Sequence, residues 1–171
     1  MNTKNITLLL LIVSSFIFTT SCKESKQISQ FPTLKISYLK GNTERIIPVK
    51  CGEIIKFPAV EFKVDTSIID KELINRIINQ AKSLNPLSSN LQTGCDIKID
   101  CTIKLTKGDS IKLCIGDFDC ILKDGVLMKK NDTLLYLVRR YSGYYNYFQE
   151  TSLKYFEELD FFGIPSDYKV K

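Results

Sequence analysis

Apolar and polar residues alternate most regularly between Cys95 and Leu105. Cys95, Ile97, Ile99, Cys101, Ile103 and Leu105 take the odd positions; Asp96, Lys98, Asp100, Thr102 and Lys104 take the even ones. A period of two predicts a strand with one buried and one wetted face. Upstream the period changes. Ile69, Leu73, Ile77 and Ala81 recur every four residues, and Ile68, Ile74, Ile78 and Leu84 widen the stripe. This predicts an amphipathic helix, with Asp65, Thr66 or Ser67 available as its N-cap and Asn85-Pro86 as its stop.

Shorter runs flank these two segments. Leu34–Leu39 and Arg45–Val49 on either side of Gly41-Asn42 read as a hairpin, and Val60, Phe62 and Val64 as a further strand. After Gly108-Asp109, Gly116-Asp117 and Asp124-Gly125 come Ile111–Ile115, Phe118–Leu122 and Val126–Met128. Strands punctuated in this way predict an antiparallel meander. Asp132 offers an N-cap to Leu134, Leu135, Val138 and Tyr141 at helical spacing. Arg139 and Arg140 suit the negative end of that helix, and Gly143 the residue after it. Leu153, Phe156 and Leu159 predict a last short helix before Gly163.

The expected fold is therefore α+β: an antiparallel β-meander sheet with one amphipathic helix packed across it and short C-terminal helices. A helix followed by a four-stranded meander resembles the cystatin-like arrangement in topology alone. Fold does not determine function.

The first residues belong to another design. Lys4 stands alone as a charge before Ile6–Phe18, thirteen uncharged residues, and Thr19-Thr20-Ser21 leads into Cys22. The run is short for a permanent span, which needs roughly 20 apolar residues. A charged start, an apolar centre and small residues at the end make a secretory signal. Small residues directly before a cysteine resemble the lipobox of bacterial lipoproteins. The resemblance covers Met1–Cys22 and implies cleavage before Cys22, lipidation of its sulfur and acylation of the new amino terminus. Thr19 stands where that pattern most often has leucine, and an ordinary secretory cut or an uncleaved anchor are the other readings of the run. The expected organisation is a signal peptide over 1–21, a lipidated cysteine and polar tether over 22–32, and one globular domain over 33–171. The expected location is the cell envelope, membrane-anchored by lipid, at the outer membrane in a Gram-negative cell.

Composition narrows the function classes. Formal net charge is +5, and beyond Ser21 there are 23 basic and 19 acidic residues spread along the chain. The densest basic clusters are the pairs Lys129-Lys130 and Arg139-Arg140, which makes nucleic acid a poor partner. Histidine is absent, which removes the commonest general base and the commonest metal ligand. There is no Walker loop, G-x-G-x-x-G or G-x-S-x-G motif, and no cofactor or metal is expected. Paired carboxylates from Asp117, Asp119, Glu157, Glu158 and Asp160 could still act on a glycan.

Setting Cys22 aside leaves Cys51, Cys95, Cys101, Cys114 and Cys120. Cys95 and Cys101, six residues apart on one strand, lie roughly 20 Å apart and cannot bridge, because a disulfide needs Cα atoms within about 7 Å. A two-residue turn at Gly116-Asp117 would put Cys114 and Cys120 on opposite faces, and Cys120 on the face of Cys95 and Cys101. Buried thiols, one or more long-range disulfides, or a metal site remain open.

Ten of the eighteen aromatic residues fall between Tyr141 and Tyr168. Tyr144, Tyr145 and Tyr147, with Arg139 and Arg140, form a possible binding surface; the same rings could instead seal the open end of the core. No catalytic residue is assigned. The expected function is a non-catalytic binding or accessory module, with the membrane as one partner through its lipid and an envelope protein as another. A small glycan hydrolase is the alternative. Asp109-Ser110-Ile111 and Asp132-Thr133-Leu134 also resemble an O-glycosylation signal of some Gram-negative bacteria.

Overall fold

A computed structural model describes residues 31–41, 47–57, 61–87, 94–106 and 108–171. The signal segment, Cys22 and most of the tether lie outside them, as do Asn42, Arg45 and Val60. The strands are β1 (Thr33–Leu39), β2 (Lys63–Ile68), β3 (Ile97–Lys104), β4 (Ser110–Gly116), β5 (Ile121–Lys123) and β6 (Val126–Met128). The helices are α1 (Lys71–Lys82), α2 (Asp132–Ser142), α3 (Glu150–Leu153) and α4 (Glu158–Phe162), with 3-10 turns at Ile54–Lys56 and Tyr144–Tyr147. The strands form one sheet in the order β2-β1-β3-β4-β5-β6, and every neighbouring pair is antiparallel. The α+β fold with a meander from β3 to β6 is as the sequence pattern predicts.

The first hairpin is different. β1 pairs with β2 on one side and β3 on the other, and Ile47–Lys50 is not a strand. Asp65, Thr66 and Ser67 lie inside β2. The N-cap of α1 is Asp70, whose side chain accepts from the Leu73 N–H at 3.0 Å. The buried stripe of α1 is Leu73, Ile74, Ile77, Ile78 and Ala81, while Ile69 stands in solvent at 87% exposure. α2 is capped by Asn131, one residue before Asp132, through the Leu134 N–H at 2.9 Å. It ends on Gly143 at φ +76°, a left-handed conformation that a Cβ disfavours.

One face of the sheet carries the main core: Leu34, Ile36 and Tyr38 of β1, Ile99, Cys101 and Ile103 of β3, the apolar face of α1, and α2. The opposite face is not wholly wet. Residues 47–57 fold over it and enclose a second, smaller core of Leu39, Val49, Ile54, Ile97 and Cys114. Two features of β3 follow. A register shift between Ile97 and Ile99 moves Ile97 to the second core while Ile99 stays in the first. A one-residue bulge reverses the facing of everything beyond it. Lys98 and Asp100, expected in water, are each 3% exposed: Asp100 lies beneath the covering segment, and Lys98 is closed in against Asp96 and Asp117. The Asp100 carboxylate accepts from the backbone N–H groups of Gly52 (3.0 Å) and Ile54 (3.1 Å), and burial pushes its carboxyl above the usual range.

The β4–β5 turn is longer than two residues. Ile115 pairs with Ile121 and Cys114 with Leu122, and the Gly116 N–H donates to the Cys120 carbonyl, so residues 117–119 form the loop. Relative to the expected register this is a three-residue slip, and an odd slip exchanges faces. Cys114 and Cys120 therefore share the face turned to the second core, and Cys120 does not join Cys101. Two long-range disulfides close there: Cys51–Cys114 (Cα–Cα 5.5 Å) and Cys95–Cys120 (6.2 Å). Cys101 is a free, buried thiol, and Cys95 and Cys101 are unbridged, as strand geometry requires.

Candidate binding surface

The five residues singled out in the C-terminal region divide into an interior set and a surface set. Tyr144 and Arg139 are fully buried and Tyr145 is 2% exposed, so these three are not part of a binding surface. The alternative role, sealing the core, is where they sit. Tyr144 meets Tyr38 edge-on at 5.5 Å between ring centroids and lies 5.0 Å from Phe148. Tyr145 and Phe148 both set their rings against Phe156. Burial raises the Tyr38, Tyr144 and Tyr145 hydroxyls well above their ordinary pKa.

Arg139 explains why this end of the molecule is closed. Its guanidinium pairs with Glu158, itself 1% exposed, and donates to the carbonyls of Gly116, Asp117 and Phe118. Tyr145 donates its hydroxyl to the same Glu158 carboxylate at 2.8 Å. One side chain on α2 thus satisfies the carbonyls of the β4–β5 loop and ties them to α4. Its position near the helix end suggested a favourable dipole contact; nothing local in the sequence points to a loop about twenty residues upstream.

Arg140 and Tyr147 remain at the surface. The Arg140 guanidinium lies over the rings of Tyr136 (5.7 Å) and Tyr141 (5.2 Å), donates to the Tyr136 hydroxyl at 2.9 Å, and faces Asp167 at 3.7 Å. Beside it opens a pocket of about 260 Å³, bounded by Arg140, Tyr141, Asn146, Pro165, Asp167 and Tyr168, among others. Tyr147 is half-buried, with the ammonium groups of Lys40 (5.7 Å) and Lys171 (5.3 Å) over its ring. The result is two aromatic-cation features, the Arg140 guanidinium with Asp167 beside it and the Tyr147 ring under two ammonium groups, each able to meet an acidic or planar group of a partner.

The carboxylates considered for catalysis are dispersed among different cations. Glu158 is closed off against Arg139, Glu157 pairs with Lys130, and Asp117 lies 3.6 Å from Lys98, which also holds Asp96 at 3.0 Å. Burial raises the Asp117 carboxyl, with Lys98 opposing. Asp119 and Asp160 are exposed. The sulfurs of Cys51 and Cys114 with the Asp100 carboxylate form the one metal-like cluster among the described residues, but the two sulfurs are bonded to each other. Among the described residues no helix is long and apolar enough to cross a membrane. Of the two glycosylation-like triplets, Ser110 is exposed at the start of β4 and Thr133 is half-buried in the first turn of α2.

No protein-family model, curated protein or solved structure matches this chain.

Proposed function

We propose that this chain is a lipid-anchored protein of the bacterial cell envelope whose domain binds another envelope protein without catalysing a reaction. The observation that carries the reading is the pair of disulfides, Cys51–Cys114 and Cys95–Cys120. Such bonds persist in oxidising compartments outside the cytosol. They agree with an export segment ending at Cys22, and they hold a small domain rigid enough to present a fixed surface. The surface is that of Arg140, whose guanidinium lies over the rings of Tyr136 and Tyr141, and of Tyr147.

The test is cross-linking in intact cells through a photoreactive group near Tyr147, comparing wild type with an Arg140→Ala, Tyr147→Ala variant. A single stoichiometric protein adduct lost in the variant is the expected result. Release of sugar from envelope polymers by the purified chain would overturn the non-catalytic reading in favour of a glycan hydrolase.

A further inference from the structure

A groove of about 560 Å³ lies near the start of β1, between Phe31, one side of α1 and the β3–β4 turn. Its apolar surface comes from Phe31, Ile78 and Leu105, and its polar rim from α1. Lys71 stands at one end of the helix and Lys82 at the other, with Asn75 and Asn79 between them. Eleven residues of helix separate the two ammonium-bearing positions by about 16 Å. Neither lysine has a carboxylate partner among the described residues; Lys71 instead lies over the Phe31 ring at 5.2 Å. Asp109 is the one acid on the lining. Two exposed apolar side chains stand near Lys71: Phe31, against its ammonium in space and 56% exposed, and Ile69, two residues before it in the chain and 87% exposed. Exposed large apolar side chains beside unpaired lysines are the pattern of a surface that meets a lipid interface.

We propose that this groove and its rim are the face with which the domain lies on an anionic phospholipid surface. Lys71 and Lys82 meet the phosphates, Asn75 and Asn79 donate amide hydrogens to their oxygens, and Phe31 and Ile69 enter the interfacial layer. The inference rests on the lipid-anchor reading in one respect. Cys22 is nine residues before Phe31, so an acylated Cys22 keeps the groove within about 30 Å of the bilayer. The covering segment 47–57 lies on the opposite side of the sheet from α1, so Lys56 serves as a control that faces away. Each lysine close to such a surface strengthens association roughly fivefold at low salt.

The experiment uses the full chain purified from membranes and reconstituted into vesicles of phosphatidylcholine alone or with phosphatidylglycerol. Acetylation rates of individual lysines are read by mass spectrometry. Lys71 and Lys82 should react at least threefold more slowly on the phosphatidylglycerol vesicles, with Lys56 unchanged. The difference should vanish in roughly 0.5 M salt, where screening is nearly complete beyond a few ångströms. Lys71→Glu should return Lys82 to its phosphatidylcholine rate. Equal rates on both vesicles would overturn the proposal. Palmitate labelling separates the two readings: label at Cys22 with equal rates sinks this face alone, and composition-dependent rates without label sink the anchor alone.

Discussion

Replacing Cys51 and Cys114 together by alanine releases the segment that covers the second face of the sheet. The bond closes a loop of 63 residues, and Cys95–Cys120 closes one of 25. Chain-entropy arithmetic for those lengths gives about 4.3 kcal/mol for the first bond and about 3.5 kcal/mol for the second. The first bond also holds Asp100 under Gly52 and Ile54, so its loss opens a route for water to a buried carboxylate. Urea unfolding of the full chain is the assay. With a slope of about 2 kcal/mol per molar urea, the Cys51→Ala, Cys114→Ala midpoint should fall by about 2 M. The Cys95→Ala, Cys120→Ala midpoint should fall somewhat less, and the two effects should not add, because the loops overlap along the chain. Reduced wild type should approach the variant lacking both bonds. A fall of less than about 0.5 M for the first variant, or oxidised wild type indistinguishable from reduced, would refute the reasoning.

Three further outcomes follow from the closed aromatic end. The buried Tyr144 hydroxyl has no hydrogen-bond partner among the described residues, whereas that of Tyr145 donates to Glu158. Tyr144→Phe should therefore leave the melting temperature unchanged or raised, while Tyr145→Phe should cost about 1.5–3 kcal/mol; a stability loss in the first as large as in the second would contradict the packing described. Glu158→Leu leaves the Arg139 guanidinium buried without its anion and should destabilise by about 3–5 kcal/mol in thermal unfolding; a change under about 1 kcal/mol would mean the charge has another route to solvent. Tyr38, Tyr144 and Tyr145 have folded pKa values raised by burial above the unfolded value of about 10, so above that pH the unfolded state binds fewer protons than the folded one. The contribution of these three tyrosines to stability should thus be flat below about pH 10 and fall above it by about 4 kcal/mol per pH unit, seen as cooperative unfolding coincident with late tyrosine ionisation at 295 nm. Smooth titration of all eight tyrosines near pH 10 without unfolding would contradict this.

What the sequence makes legible is local. The stripe through Leu73, Ile77 and Ala81 is a helix because its period is set by the helix itself, and the end at Gly143 follows from one left-handed glycine. The alternation from Ile97 to Ile103 is a strand for the same kind of reason. The bulge within it escapes the pattern, because Ile97 and Ile99 are both apolar and each finds a core, on opposite faces. Lys98 and Asp100 look like wetted positions; the return of residues 47–57 takes Asp100 out of water, and Lys98 is buried against Asp96 and, from the β4–β5 loop, Asp117. The β4–β5 register is non-local too. Gly116-Asp117 has the composition of a tight turn, yet Arg139 takes up the loop carbonyls and accommodates a longer one. Of the proposed surface, Arg140 and Tyr147 stay outside while their neighbours Arg139, Tyr144 and Tyr145 turn in, a division set by the partners Glu158 and Phe156 on a later segment.

The tethered, exported character of the chain is tested most directly by growing cells with labelled palmitate and following the protein and its Cys22→Ala variant. Incorporation into the wild type, lost in the variant, is the predicted result. A wild-type chain that is exported and carries its two disulfides but takes up no palmitate would contradict the lipid anchor.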